Sequence, residues 1–311
     1  MDKIHVIGHQ IPDTDATISS IVFAEYLKYK GKKAAPYKLG NLNNETKFIL
    51  NYVGVEDPET IKSLPAGSKV ALVDHNERAQ TIENIADLEI HSIVDHHKIG
   101  NLETQNPIFI RTEKLCSTSS VIYKMMKEEG IKPNKEHATL IISAILSDSL
   151  HFRSPTTQDE DKFIVEELNE IAKIPNIEEY AMEMFKAKSD LGDISIEELI
   201  KIDYKEFEVN GKKLGVGSVE TTNPNYSLLR KTEIISGLQK IKKEAGLDFI
   251  MLSVIDILKE KNTTILGDEA DFKVISDIFG VNVLDNLADL GSRISRKKQV
   301  IPELTAYFNK N

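Results

Sequence analysis

The chain has 311 residues, 41% of them hydrophobic and 28% charged, with a formal net charge of −10 and a single cysteine, Cys116. That length leads to an expectation of two domains, and the charge argues against a nucleic-acid binder, whose affinity would come from a basic surface. One cysteine excludes an internal disulfide and fits a reducing cytoplasm. The longest apolar stretch, Ala138 to Leu146, is too short to span a bilayer, so no membrane partner is expected.

In chain order, the amino terminus runs directly into a strand-like segment, Lys3 to Gly8, rather than a signal peptide. The strand proper is Ile4 to Ile7. Pro12 keeps Gly8 to Asp15 non-helical, and Ile18, Ile21, Val22, Tyr26 and Leu27 give Ala16 to Tyr29 helical spacing. His9, Asp13 and Asp15 are thus expected in a loop between strand and helix. Ala34 to Leu39 reads as a second strand and Glu45 to Val53 as a helix. Val70 to Val73 is a third strand ending in Asp74-His75-Asn76, with a helix expected near Arg78 to Ile85. Ile90 to Val94 is a fourth, ending in Asp95-His96-His97, two adjacent histidines that an extended backbone would point to opposite sides. A strand at Ile108 to Arg111 precedes Ser117-Thr118-Ser119, which caps a helix over Val121 to Glu129. His137 to Leu146 reads as a buried helix running into Asp148. Alternation of this kind predicts an α/β fold: a mainly parallel sheet with helices on both faces.

Residues 151 to 188 read as largely helical, and a polar linker is expected at 189–194, dividing a domain over 1–188 from one over 195–311. Beyond it, Asn210-Gly211 sits between two strand-like runs as a hairpin signature. An amphipathic helix over Leu228 to Glu244, strands at Phe249 to Asp256 and Thr263 to Leu266, and a helix at Phe272 to Phe279 predict a smaller, mixed α/β domain. It closes on a basic run, Gly291 to Gln299, in an otherwise acidic chain.

Three strand ends therefore deliver His9, Asp13 and Asp15, then Asp74 and His75, then Asp95, His96 and His97, and a helix end can add Asp148. Singly, Asp13, Asp15, Asp74 or Asp148 reads as a helix cap. Jointly, carboxylates converging on one place repel one another unless cations neutralise them. Oxygen and imidazole nitrogen without thiolate suit Mn²⁺, Co²⁺ or Mg²⁺ better than a structural Zn²⁺. More ligands than one ion needs suggests two ions about 3.5–4 Å apart, an arrangement that favours in-line attack on phosphorus.

The segments Gly8 to Asp15, Val73 to Asn76 and Asp95-His96-His97 make the amino-terminal half resemble the Asp-His-His phosphoesterases. Ser295-Arg296-Lys297-Lys298-Gln299 narrows the resemblance to the manganese-dependent family II inorganic pyrophosphatases. The resemblance implies one ion held by His9, Asp13, Asp74 and Asp148, and a second by Asp15, Asp74, His96 and Asp148. His97 would serve as a donor to substrate, Asp95 and His75 would orient ligands, and Lys205, Arg296 and Lys297 would grip the phosphates. It also implies Mg²⁺ carried with pyrophosphate, and a homodimer through the amino-terminal sheet, for which the strand at Ile108 to Arg111 offers an edge.

The expected reaction is direct hydrolysis of pyrophosphate to two phosphates, a metal-bridging hydroxide attacking phosphorus in line with no covalent intermediate. Two domains on a short linker suggest a cleft that opens and closes. The alternatives are a short-chain exopolyphosphatase or oligonucleotide phosphoesterase of the same superfamily, and a non-catalytic metal- or nucleotide-binding module. The Gly-Gly-Gly-His stretch of the nuclease branch is absent from the sequence.

Overall fold

In the computed structural model, which describes residues 3–190, 192 and 194–310 without the side chain of Lys297, the chain divides after Lys188 into two units. The first runs β1 (Ile4–Ile7), α1 (Thr14–Tyr29), β2 (Ala34–Lys38), α2 (Asn44–Val53), β3 (Glu59–Thr60), β4 (Lys69–Val73), β5 (Glu89–Asp95) and β6 (Phe109–Thr112). Four helices follow: α3 (Thr118–Glu128), α4 (Lys135–Ser149), α5 (Asp159–Ala172) and α6 (Ile177–Ser189). The six strands pair in parallel in the order β3-β2-β1-β4-β5-β6. Strand order reverses between β1 and β4, and a sheet of this kind opens a crevice for ligands beyond the carboxyl ends of those two strands.

Apolar patterning explains why β1 and β4 lie in the middle. Val6, Ile7 and Val70 to Val73 are buried, and unbroken apolar runs suit strands covered on both faces. α1 packs on this sheet and against α3 and α4. Every residue of α1 from Thr14 to Ala24 is buried, with small Ala16, Ser19, Ser20 and Ala24 leaving room for its neighbours.

Two expectations change in this unit. α1 begins at Thr14 with Asp13 as its N-cap, so Asp15 lies in the first helical turn rather than in the loop. The helix expected over Arg78 to Ile85 is instead two single turns of 3-10 helix, Arg78–Gln80 and Ile85–Asp87. The carbonyls of Gln80 and Thr81 accept from the backbone and side-chain amides of Gln10, so they do not serve a helical ladder. Ile82 and Ile85 between and within those turns still cover the sheet, packing with Ile7, Leu72 and Ile93.

The second unit comprises α7 (Ile196–Lys201), β7 (Asp203–Val209), β8 (Lys212–Thr221), α8 (Asn225–Leu228), α9 (Lys231–Ala245), β9 (Phe249–Asp256), β10 (Lys261–Leu266), α10 (Glu269–Phe279), β11 (Val283–Leu284), β12 (Leu287–Asp289) and α11 (Ile301–Lys310). Its sheet, in the order β11-β12-β10-β9-β8-β7, is mixed, with only β8 and β9 parallel. Asn210 and Gly211 both take positive φ, 50° and 73°, as a two-residue hairpin turn between β7 and β8 requires. β9 is buried along its length. Phe249 and Met251 join Ile275, Leu304 and Phe308 of α10 and α11, and Ile250, Leu252 and Val254 join Leu199, Ile234 and Leu238 of α7 and α9. Period-two alternation thus builds two cores from one strand. Positions 191 and 193 of the expected linker lie outside the described residues. Among the described residues no helix is long and apolar enough to cross a membrane.

Gly8 joins β1 to the loop that carries His9. A Cβ there would stand 2.7 Å from the carbonyl oxygen of Ala16 and 2.8 Å from its Cβ, so the strand end could not lie this close to α1. Gly8→Ala is expected to destabilise the protein by about 1–3 kcal/mol, the usual range for overpacking. Urea unfolding measures it, and an unchanged midpoint would refute this account of the packing.

Candidate metal centre

The strand ends at the reversal point carry the titratable groups, and each is set by a local device. Asp13 caps α1, its Oδ1 accepting the Ala16 amide at 2.9 Å. Asp15, fully buried, points at the amino terminus of α3. It accepts from the amides of Thr118 (2.6 Å) and Ser119 (3.1 Å) and from the hydroxyls of Ser19, Ser117 and Ser119. Free amides at a helix start make a ready anion site, so this carboxylate is held by geometry that already favours negative charge.

Asp74 follows β4 and adopts φ 61°, the left-handed region that Asp tolerates better than most residues. Its amide still donates to Val94 of β5, at 3.0 Å, so the chain turns sharply only after the ladder is complete. The turn leaves its two oxygens facing different partners. Oδ2 lies 3.5 Å from His9 Nε2, while Oδ1 lies 3.4 Å from His96 Nε2, 3.7 Å from His97 Nδ1 and 2.9 Å from the Thr118 hydroxyl, which donates to it.

At the end of β5, buried Asp95 accepts the amides of both His96 and His97, the Nδ1–H of His97 and the side-chain amide of Asn76. This turn ends the extended backbone. The two histidines therefore do not point to opposite sides; their rings meet edge to face with centroids 4.2 Å apart, and both reach Asp74. His96 Nδ1 contacts the Leu115 carbonyl at 3.0 Å, and since a carbonyl only accepts, Nδ1 carries the proton and Nε2 is left to face Asp74. Asp148 sits in the last turn of α4, where a negative charge opposes the helix dipole, with Oδ2 4.0 Å from His96 Nε2.

Three groups have ligand atoms all within 4.8 Å of one another: His9, Asp13 and Asp74; Asp74, His96 and His97; and Asp15, His96 and Asp148. All seven amino-terminal residues expected at the site are thus brought together. Asp148 groups with Asp15 and His96. His75 is buried with Nδ1 on the Val73 carbonyl at 2.8 Å, and burial holds its pKa below the usual value. The hydroxyls of Ser117, Thr118 and Ser119 are part of the site's framework, although in sequence they read only as a helix cap; their clustering at one helix start is the signal that was available.

On the second unit, Lys205 is exposed on β7, opposite Val216 of β8. Arg296 donates to the carbonyls of Asp203 (2.5 Å) and Val216 (3.3 Å) and pairs with the Asp203 carboxylate at 2.7 Å, so its guanidinium is fixed against the same two strands. The side chain of Lys297 lies outside the described residues.

Charge at the centre is balanced by protons in the metal-free chain. Burial opposes a charge on His9, but Asp13 and Asp74 outweigh it and bring the imidazole up to about 10. Burial likewise opposes His96, and Asp74 and Asp15 carry it to about 9. Burial works against ionised Asp74 too, yet His9 and His96 hold its pKa well below the usual range. Burial and then the charge of Asp74 push Asp15 up to about 6, and burial with Asp15, Asp13 and Asp74 raises Asp148 well above its ordinary value. Cations would relieve each of these, and the donor set, carboxylate oxygen and imidazole nitrogen, fits a divalent ion of the manganese type.

A ligand nitrogen must shed its proton to bind metal. Below pH 9 both His9 and His96 hold theirs, so uptake releases protons and affinity rises with pH. Between pH 6 and pH 8, Mn²⁺ affinity is expected to increase by about tenfold or more per unit. Calorimetry in buffers of different ionisation enthalpy checks this, and a pH-independent affinity would contradict it.

Residues 3–145 match the family model described as the DHH family, N-terminal domain, and residues 182–307 match the DHHA2 domain. A Deinococcus radiodurans protein is 44% identical over 307 residues, covering 97% of this chain and 98% of its own. One from Clostridium acetobutylicum is 39% identical over 306 residues, covering 98% of each. Both carry the name "Probable manganese-dependent inorganic pyrophosphatase". A crystal structure from Methanococcus jannaschii, of a protein named for the family II inorganic pyrophosphatases, is 37% identical with a TM-score of 0.65, covering 98% of this chain and 99% of that one. With both domain models matched and full-length relatives at this identity, the chain belongs to the manganese-dependent, family II inorganic pyrophosphatases.

Proposed function

We propose that the chain hydrolyses inorganic pyrophosphate to two phosphates by direct, in-line displacement with water and no covalent enzyme intermediate. The observation that carries this reading is Asp74, whose two oxygens face separate imidazoles and so can bridge two neighbouring ions. His9, Asp13 and Asp74 would hold one ion, and Asp15, Asp74 and His96 the other, with Asp148 completing the set. Bound Mn²⁺, with Co²⁺ as a substitute, supplies Lewis-acid activation of the attacking water and neutralises charge that develops on phosphorus-bound oxygen.

The chain's own residues do the rest. Asp95 raises the pKa of His97, whose ring is half exposed, so this imidazole carries a proton to offer a phosphate oxygen. Lys205, Arg296 and Lys297 bind the phosphates, which arrive with Mg²⁺. Arg296 brings a planar fork suited to two oxygens, already oriented by Asp203. His75 and Asp95 orient the ligands beside them. The second reading, a short-chain exopolyphosphatase or oligonucleotide phosphoesterase, differs in substrate: a longer phosphoanhydride chain in the first case and a phosphodiester in the second. The edge strand β6, with Phe109 and Ile110 half exposed, supports assembly as a homodimer through this sheet.

Phosphate release should be lost on chelation and restored best by Mn²⁺ when Mn²⁺, Mg²⁺ and Zn²⁺ are added back separately. Pyrophosphate should turn over faster than tripolyphosphate or a dinucleotide; preference for either of the others would favour the second reading. Asp74→Ala should abolish metal loading and turnover together, since a variant that kept both would remove Asp74 from its bridging role. Arg296→Ala should retain metal while raising KM for pyrophosphate and lowering kcat.

A further inference from the structure

Glu45 lies in the first turn of α2 and is fully buried. Carboxylates survive there only when paired and hydrogen-bonded. Its Oε2 accepts from the Thr14 hydroxyl (3.0 Å), the Ser147 hydroxyl (2.9 Å) and the Lys188 ammonium (3.0 Å). Thr14 stands between Asp13 and Asp15, and Ser147 directly precedes Asp148. One oxygen therefore ties together the start of α1, the end of α4 and the end of α6. Three carboxylates of the metal centre are one residue away from its anchors.

The charge of Lys188 matters as much as the geometry. Its ammonium lies close enough to Asp148 and Asp13 to be stabilised by both. A bare positive charge in that place would oppose a cation bound between those acids, whereas an ammonium paired with Glu45 is neutralised.

We propose that Glu45 is a positioning residue for the metal centre: its carboxylate fixes the spacing of Asp13 and Asp15 from Asp148 and cancels the charge of Lys188 beside them. The inference rests on the reading of these acids as metal ligands.

Glu45→Gln keeps the shape and one acceptor oxygen but removes the charge. The substitution is isosteric, and the variant is expected to fold with a metal-free thermal midpoint close to wild type. Titration of the metal-free protein with Mn²⁺ should show affinity weakened about tenfold, as for residues that orient ligands. KM for pyrophosphate at saturating Mn²⁺ should not change. The double variant Glu45→Gln/Lys188→Met should recover most of the lost affinity, because the uncompensated ammonium is gone. A merely structural role would move the thermal midpoint and give no such recovery. Wild-type affinity in Glu45→Gln, or a double variant no better than the single, overturns the proposal. If Glu45→Gln does not fold, Ser147→Ala keeps the ion pair while removing one anchor; severalfold weaker Mn²⁺ binding supports the proposal and unaltered binding overturns it. A wild-type protein that takes up no Mn²⁺ overturns the metal reading beneath it, whereas normal wild-type uptake with unaltered Glu45→Gln binding overturns this inference alone.

Discussion

Gathering negative charge out of water is the constraint on which this structure turns. Asp13, Asp15, Asp74 and Asp148 meet where two of the four, Asp15 and Asp74, are almost wholly removed from solvent. Carboxylates so placed either take up protons or acquire cations. The fold answers in two ways that differ in kind. Asp15 is held by five donors from α1 and the start of α3, which fixes its position and still leaves its pKa near 6. Asp74 is held between imidazoles, which keep it ionised by taking protons themselves. In one case fixed amides and hydroxyls carry the compensation, and in the other it is exchangeable. A metal can replace the protons on His9 and His96, but nothing needs to replace the amides at α3.

Most of these groups follow strand ends, while Asp15 and Asp148 come from helix ends beside them. A parallel sheet with its order reversing between β1 and β4 places the residues after β1, β4 and β5 side by side without any long loop to order. Rigid strands then set the coarse spacing, and short turns set the fine one. Asp74 uses a left-handed residue and Asp95 uses its own carboxylate to fold the next two residues back. The left-handed residue Asp74 comes only after the ladder is complete, its amide donating to the Val94 carbonyl.

Much of this was legible in the chain. Short, mostly apolar runs followed within two residues by His or Asp marked β1, β4 and β5 and the group of residues beyond them, because strands in the middle of a covered sheet carry apolar side chains on both faces. What pattern could not give was anything decided by a distant partner. The stretch after Asp74 has helical composition near Arg78 to Ile85, but Gln10, far away in sequence, takes up its carbonyls. The alternation rule put His96 and His97 on opposite sides; it failed because the strand stops at Asp95, and the reason it stops is a side-chain bond that no periodicity encodes. Glu45 begins the segment that reads as a helix, and nothing near it in sequence marks it. Its burial depends on Ser147 and Lys188, more than a hundred residues on, so only the assembled fold distinguishes it.

The basic run near the carboxyl terminus shows the same limit from the other direction. Its composition marks it as a partner for anions, yet composition says nothing of how rigid it is. Arg296 is anchored through Nη1 and Nη2 on Asp203 and on two carbonyls at the β7–β8 edge, and the Arg293 carbonyl just upstream is held by the buried amide of Asn262. A guanidinium anchored in this way loses less conformational freedom when it meets a phosphate than one on a free tail would. The cost of ordering has been met by folding, through residues that carry no phosphate-binding signature themselves. The acidic centre and the basic run thus share one logic: the charged groups of each are few and recognisable, while the neutral or oppositely charged groups that fix them are scattered along the chain and become visible only once each unit folds.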